Sequence, residues 1–233
     1  MMTFKEPLIK LLGTLFLAVS LFILTPALDA KENLPETTKD GLVLKQQNKL
    51  GAVYIKPGAT LTDYNKVKIL ECYVAFQKDW QRDYNQEQMG LTGRVTNQEM
   101  ESMKTKLATG FQEVFTKELD KAGYTVVDTT GADVLLIRPA IINLTVTAPD
   151  VMTAGMTNTY VRSAGSMTLY AELYDSLTSD KFAEVIDAEE VGDHGFNFRA
   201  NSVTNRAEIE QALQAWAEIL VKRLDEAHGK TSK

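Results

Sequence analysis

The chain has 233 residues, 44% of them hydrophobic and 24% charged, a balance typical of folded globular proteins that excludes both wholesale disorder and a fully membrane-embedded chain. Its formal net charge of −6 argues against nucleic acid and against tight electrostatic binding to anionic lipid, because both require clustered Lys and Arg. The whole acidic excess falls after Ala30, since Lys5 and Lys10 cancel Glu6 and Asp29.

The N-terminus reads as a secretory signal peptide over residues 1–30. A short basic start is followed by an uncharged apolar run over 11–24 and then by Thr-Pro-Ala-Leu-Asp-Ala, the layout of an export leader. Cleavage is expected after Ala27 or Ala30. The uncharged stretch reaches Leu28, about the minimum length that spans a bilayer, so an uncleaved inner-membrane anchor is the alternative. Residues 31–51 are polar, carry Pro35 and Gly41 and hold no sustained period; they read as a flexible lead-in. Roughly 200 residues then remain, enough for one ordinary domain, placed at 52–228, with a disordered tail over 229–233.

In chain order, residues 66–77 alternate as Leu70, Cys72, Val74 and Phe76 against Glu71, Tyr73, Ala75 and Gln77, the pattern of a strand with one buried face. Val67 and Ile69 fall on the opposite phase, which requires either cover on both faces or a bulge near Ile69 and Leu70. A polar, aromatic stretch over 79–94 precedes the clearest helix. There Thr96 and Glu99 have capping-box spacing, Met100, Met103, Leu107, Phe111, Val114, Phe115 and Leu119 form one apolar stripe, and Gly123 closes the helix. Residues 124–128 and 132–148 read as strands, the second interrupted by Pro139, which should lie on an edge or a bulge. A Thr-, Gly- and Met-rich loop over 149–166 leads to a hairpin of 167–174 and 182–191. A second loop, 192–203, precedes a helix with the stripe Ile209, Leu213, Trp216, Leu220 and Leu224, whose basic last turn suits the negative helix pole. The predicted fold is α/β (α+β): a two-layer sandwich with a mixed sheet of about five strands and two helices on one face.

Three segments, 54–80, 165–189 and 203–225, together resemble the bacterial envelope proteins grouped as domain of unknown function 3313 (DUF3313), with Trp216-Ala217, Leu220 and Leu224-Asp225 as the most distinctive residues. The resemblance spans nearly all of the mature chain. It implies a secreted or lipid-anchored protein without an assigned reaction, although no cysteine stands directly after the apolar run to carry the lipid of the acylated members.

The residue types offer little convergent chemistry. The single cysteine, Cys72, has no partner for a disulfide within the chain and reads as a buried small hydrophobe. No phosphate-binding loop, dinucleotide fingerprint, serine elbow or zinc-binding His pair is present in the sequence, so no catalytic residue and no cofactor is assigned. Glu189, Asp193 and His194 are the candidate metal ligands, because carboxylates with an imidazole hold divalent cations, although neighbouring strand residues project to opposite faces. The candidate partner-binding residues are Trp80, Arg82, Tyr84 and Arg94, the types that anchor protein interfaces by combining rigid area with a polar handle. The resulting expectation is a non-catalytic exported envelope protein that binds a protein partner, touching the membrane only if the leader is retained. The alternatives are a periplasmic small-molecule or metal binder and a hydrolase whose site is assembled from distant loops.

Overall fold

A computed structural model of the chain describes residues 34–47, 51–88, 93–149, 159–193, 195, 198–200 and 202–230. The chain divides into two units, Met1–Leu34 and Pro35–Lys233, and all elements named below lie in the second. Among the described residues the fold is α+β, with three helices and a mixed, open, eight-stranded sheet. No helix among them is long and apolar enough to cross a membrane.

The chain enters through β1 (Val43–Gln47) and β2 (Gly51–Ile55), then β3 (Lys66–Ile69) and β4 (Tyr73–Phe76). A short helix α1 (Trp80–Glu87) and the long α2 (Asn97–Lys121) lead to β5 (Thr125–Val126) and β6 (Val134–Val146). Next come β7 (Thr159–Val161), the hairpin β8 (Gly165–Asp175) with β9 (Lys181–Val191), β10 (Phe198–Ala200) and the last helix α3 (Ser202–Ala227). The sheet order is β1-β2-β9-β8-β6-β3-β5, with β4 also on β6, while β7 and β10 form a separate two-stranded ribbon. The two segments read as loops, 149–166 and 192–203, thus supply that ribbon.

The sheet is larger than the five strands expected, and the difference lies mainly at its N-terminal edge. Part of the supposed flexible lead-in is built in: β1 and β2 pair antiparallel, β2 pairs β9, and Thr37 bridges Val43. Leu42, 0% exposed, anchors this stretch. The polar residues between Leu42 and Ala52 masked a strand whose backbone ladder, more than its side chains, carries it.

The alternating segment 66–77 divides at the phase change seen in the sequence. β3 runs parallel to β6 from Lys66↔Val134 to Ile69↔Ile137, and β4 resumes at Tyr73↔Ala140. Pro139 sits in β6 opposite that interruption, paired with Ala171 of β8 on its other side. The expectation of an edge or bulge is corrected accordingly: an interior strand accepts this proline where the neighbouring ladder is broken and no N–H is required.

The capping box forms as the spacing dictates. The Thr96 side chain accepts from the Glu99 backbone N–H at 3.2 Å, and the Glu99 carboxylate accepts from the Thr96 backbone N–H at 2.7 Å. α2 contributes Leu107, Phe111 and Phe115 and α3 contributes Leu213, Trp216 and Ala217 to one core shared with Met167, Leu169 and Ala171 of β8. Odd-numbered residues of β8 therefore face the helices, and the even-numbered ones face the other way. Trp216, 5% exposed, donates its indole N–H to Asp187 of β9 at 2.9 Å. A second cluster continues the core through Tyr124, Leu135, Leu173 and Leu224.

Gly165, paired with Val146 of β6, leaves no room for a side chain. A Cβ there would stand 2.1 Å from the Thr145 carbonyl oxygen, and its φ of 147° is a conformation that L side chains rarely adopt.

Candidate functional site

The polar, aromatic stretch over 79–94 contains a helix of its own. Residues 80–87 form α1, entered through Asp79 in the left-handed region at φ 63°, an uncommon conformation for a non-glycine residue. Side chains from one flank clamp α1 to the segment before α2. Asn85 both donates to the Val95 carbonyl at 2.8 Å and accepts from the Val95 N–H at 2.7 Å. Gln81, one turn earlier, donates to Val95 O and to Asn97 Oδ1, each at 3.0 Å.

Pinned in this way, α1 holds a row of rings. Phe76 at the end of β4 stacks on Trp80 with centroids 4.6 Å apart, and Trp80 stacks on Tyr84 at 5.5 Å. Trp80 and Tyr84 are half-buried, and Phe76 packs against the main core, so the row runs outward from it. Burial first, and the Glu87 carboxylate second, push the Tyr84 phenol above its usual range.

The four residues chosen from sequence are only partly united. Trp80 and Tyr84 share a face because they are one helical turn apart. Arg82 lies between them in sequence and so on the other side of the helix, exposed and paired with Asp79 at 3.3 Å and Asp83 at 2.8 Å. Arg94 is exposed on the segment leading to the cap of α2.

Of the candidate metal ligands, Glu189 lies near the end of β9 and Asp193 just beyond it. Glu189 pairs with Met167 and so faces the helices; burial, then the charge of Asp187, push its carboxyl upward. Asp193 is engaged by Arg162 at 3.0 Å and by the Gly195 N–H at 2.9 Å. His194 lies outside the described residues. Among the described residues no group of three or more His, Cys, Asp and Glu is placed to hold a metal ion.

Cys72 is 5% exposed, and burial pushes its thiol up to about 12, which keeps it protonated and unreactive near neutrality.

A charged network on the face of the sheet away from the helices was not foreseen. Arg138 of β6, Glu172 of β8 and Glu184 of β9 are directly opposed in register, and the row continues to Tyr54 of β2. Lys181 lies across it, 2.6 Å from Glu172, 3.5 Å from Glu184 and 2.7 Å from Asp40 of the N-terminal turn. The Tyr170 hydroxyl donates to Glu172 at 3.2 Å. Burial raises the Glu172 carboxyl, but hydrogen bonds from Lys181, Tyr174 and Tyr170 outweigh it and hold the group below the usual carboxylate range. Lys181 is shifted upward: burial opposes its charge, and bonds to Asp40 and Glu172 more than offset that cost. Arg138, also bonded to the Tyr174 hydroxyl, is 3.5 Å from Glu172. The network borders an open depression of about 580 Å³, walled on one side by Lys56 and Asp180, which pair at 2.6 Å. The signal available in sequence was the even-numbered series Tyr170, Glu172 and Tyr174: a polar and aromatic face on a strand whose other face is apolar from Met167 to Leu173.

No curated protein matches the chain significantly. Among solved structures there are distant likenesses. A PelC dodecamer from Paraburkholderia phytofirmans has 8% identity and a TM-score of 0.37, covering 78% of this chain and 100% of that one. A neuraminyllactose-binding hemagglutinin homologue from Helicobacter pylori has 12% identity and a TM-score of 0.37, covering 73% and 88%. A DUF4136 family protein from Bacteroides thetaiotaomicron has 10% identity and a TM-score of 0.36, covering 77% and 98%. One family model covers most of the chain, over residues 38–220, and the chain accordingly belongs to the family described as protein of unknown function (DUF3313).

Proposed function

We propose that the protein is a non-catalytic, exported envelope module that binds a protein partner through α1, with Trp80 and Tyr84 as the anchoring side chains. The observation that carries this reading is the row Phe76, Trp80, Tyr84: three stacked rings leading outward from the core on a helix fixed by Asn85 and Gln81. Half-buried aromatic side chains on a rigid support lose little conformational entropy on association, and such residues dominate binding energy at interfaces. Arg82, on the other flank, then belongs to the rim, where a charge paired with Asp79 and Asp83 affects rate and salt dependence more than affinity.

Export rests on the leader-like residues 1–30, and places the module in the periplasm or outside the cell, or on the inner membrane if the leader stays. The test is a Trp80→Ala, Tyr84→Ala double variant compared with wild type by crosslinking in intact cells and mass spectrometry. The reading expects a folded variant, judged by its circular dichroism, that loses specific adducts. A folded variant with an unchanged adduct pattern removes the assignment of the site. Mass analysis of the same material reports the mature N-terminus and so whether the leader is removed.

A further inference from the structure

The depression on the face of the sheet away from the helices has a different character from the aromatic row, and a different ligand. Its lining balances three cations, Lys56, Arg138 and Lys181, with three carboxylates, Asp40, Glu172 and Asp180. Such a wall gives no net advantage to a multiply charged ion of either sign, and the depression, of about 580 Å³, is open to solvent.

The charges are ordered along the wall as Asp40, Lys181, Glu172, Arg138. The inner pair is satisfied: Lys181 bonds Asp40 and Glu172 while Glu172 also receives Tyr170, and the two side chains are only 15% and 9% exposed. The outer pair has capacity left. Asp40 uses one oxygen, on Lys181, and is 55% exposed; Arg138, 67% exposed, is bonded to the Tyr174 hydroxyl and meets Glu172 at 3.5 Å, which leaves further N–H groups of its fork to solvent. A guanidinium carries five N–H donors in a planar fork that matches a carboxylate. The N-terminal turn that supplies Asp40 is itself fixed, with Thr38 N–H bonded to Leu42 O at 2.8 Å and Leu42 fully buried. The acceptor is therefore held on a fixed turn ahead of β1 and the donor within β6.

We propose that this depression binds a small zwitterion, a short peptide with free termini, its carboxylate on Arg138 and its ammonium on Asp40. Both termini meet a group of opposite charge at the solvent edge of a saturated ion pair, where the bound charges replace water without disturbing the Lys181 and Glu172 contact.

Trialanine, N-acetyl-trialanine and trialanine amide are the probes, titrated calorimetrically into the full mature chain and into Arg138→Gln and Asp40→Asn variants. The expected result is saturable binding of trialanine that weakens about tenfold or more when either terminus is blocked, the loss typical of a charge-assisted hydrogen bond. Arg138→Gln removes the preference for a free carboxylate and Asp40→Asn the preference for a free amine, while thermal unfolding confirms that each variant folds. Absence of saturable trialanine binding to the wild-type chain, or equal binding of the blocked peptides, overturns the proposal. Retained terminal preferences in both folded variants overturn the assignment to this wall. None of these outcomes touches the aromatic row on α1, which neither variant alters.

Discussion

Replacing Lys181 with Met removes one charge from the sheet and keeps most of its aliphatic stem, and the consequence follows from the register. Glu172 and Glu184 are directly opposed across β8 and β9, their side chains 9% and 14% exposed. Without the ammonium, two like charges face each other in a half-buried setting, an arrangement that destabilises a cross-strand pair. Taking one partner from a buried ion pair costs about 3–5 kcal/mol; at this rim of the sheet we expect about 3 kcal/mol at pH 7.5, a large share of a typical domain's total stability. The pH dependence fixes the mechanism. In the wild-type chain Glu172 is held below the usual carboxylate range, so its contribution is present above the unfolded value and is lost as pH falls through the folded one. In Lys181→Met the bond and charge that hold the group down are gone, burial, the largest influence on Glu172, raises the folded value, and the deficit is relieved as pH falls toward the unfolded value of about 4.3. Urea unfolding followed by far-ultraviolet circular dichroism at pH 7.5 and pH 5 is the assay. The gap between variant and wild type should narrow by about 1 kcal/mol or more at the lower pH, the equivalent of roughly one pKa unit. A loss below about 1 kcal/mol at pH 7.5, or one that does not change with pH, refutes the reasoning.

Three other perturbations probe separate parts of the fold. Thr96→Ala removes the α2 cap and should cost about 1 kcal/mol in denaturant unfolding, with Thr96→Asp close to neutral; equal losses in both would show that the cap bond is not what matters. Gly165→Ala places a methyl 2.1 Å from the Thr145 carbonyl oxygen and should destabilise by more than about 2 kcal/mol, measured as a lowered thermal midpoint; an unchanged midpoint would show that β6 and β8 separate there without penalty. Cys72, buried with its thiol raised to about 12, should react with a thiol-specific disulfide reagent only after unfolding; rapid labelling of the native chain would contradict its place in the core.

Much of the fold was legible because it rests on side-chain periodicity. The α2 stripe, its capping box and Trp216 on α3 follow from spacing alone, since a helix must bury one face and satisfy its first N–H groups. The elements that escaped are held by backbone pairing or by few side chains. β1 offers a polar run that reads as linker, and it is tied to the sheet through β2, which pairs β9. α1 escaped because its Trp and Tyr recur just once, too few for a stripe, and because its clamp is a pair of amides on Val95. The aromatic pair itself was visible as residue type. What the sequence concealed was that Arg82 would turn away from it and that Phe76, at the end of β4, would complete the row.

The ionic face was hidden for a related reason. Arg138, Glu172, Glu184 and Asp40 are far apart along the chain, and a charge in a strand reads as a solvated edge until the register brings its partners opposite. Only the alternation through Tyr170, Glu172 and Tyr174 marked that face in advance.

The most direct measurement is photocrosslinking in intact cells from a reactive residue placed at Tyr84, with the same residue at exposed Ile219 on α3 as the reference. An interaction module that binds through α1 yields a discrete adduct from position 84 that is lost on Trp80→Ala and is missing from position 219. Identical adduct patterns from both positions, or none from position 84 in the folded protein, would contradict it.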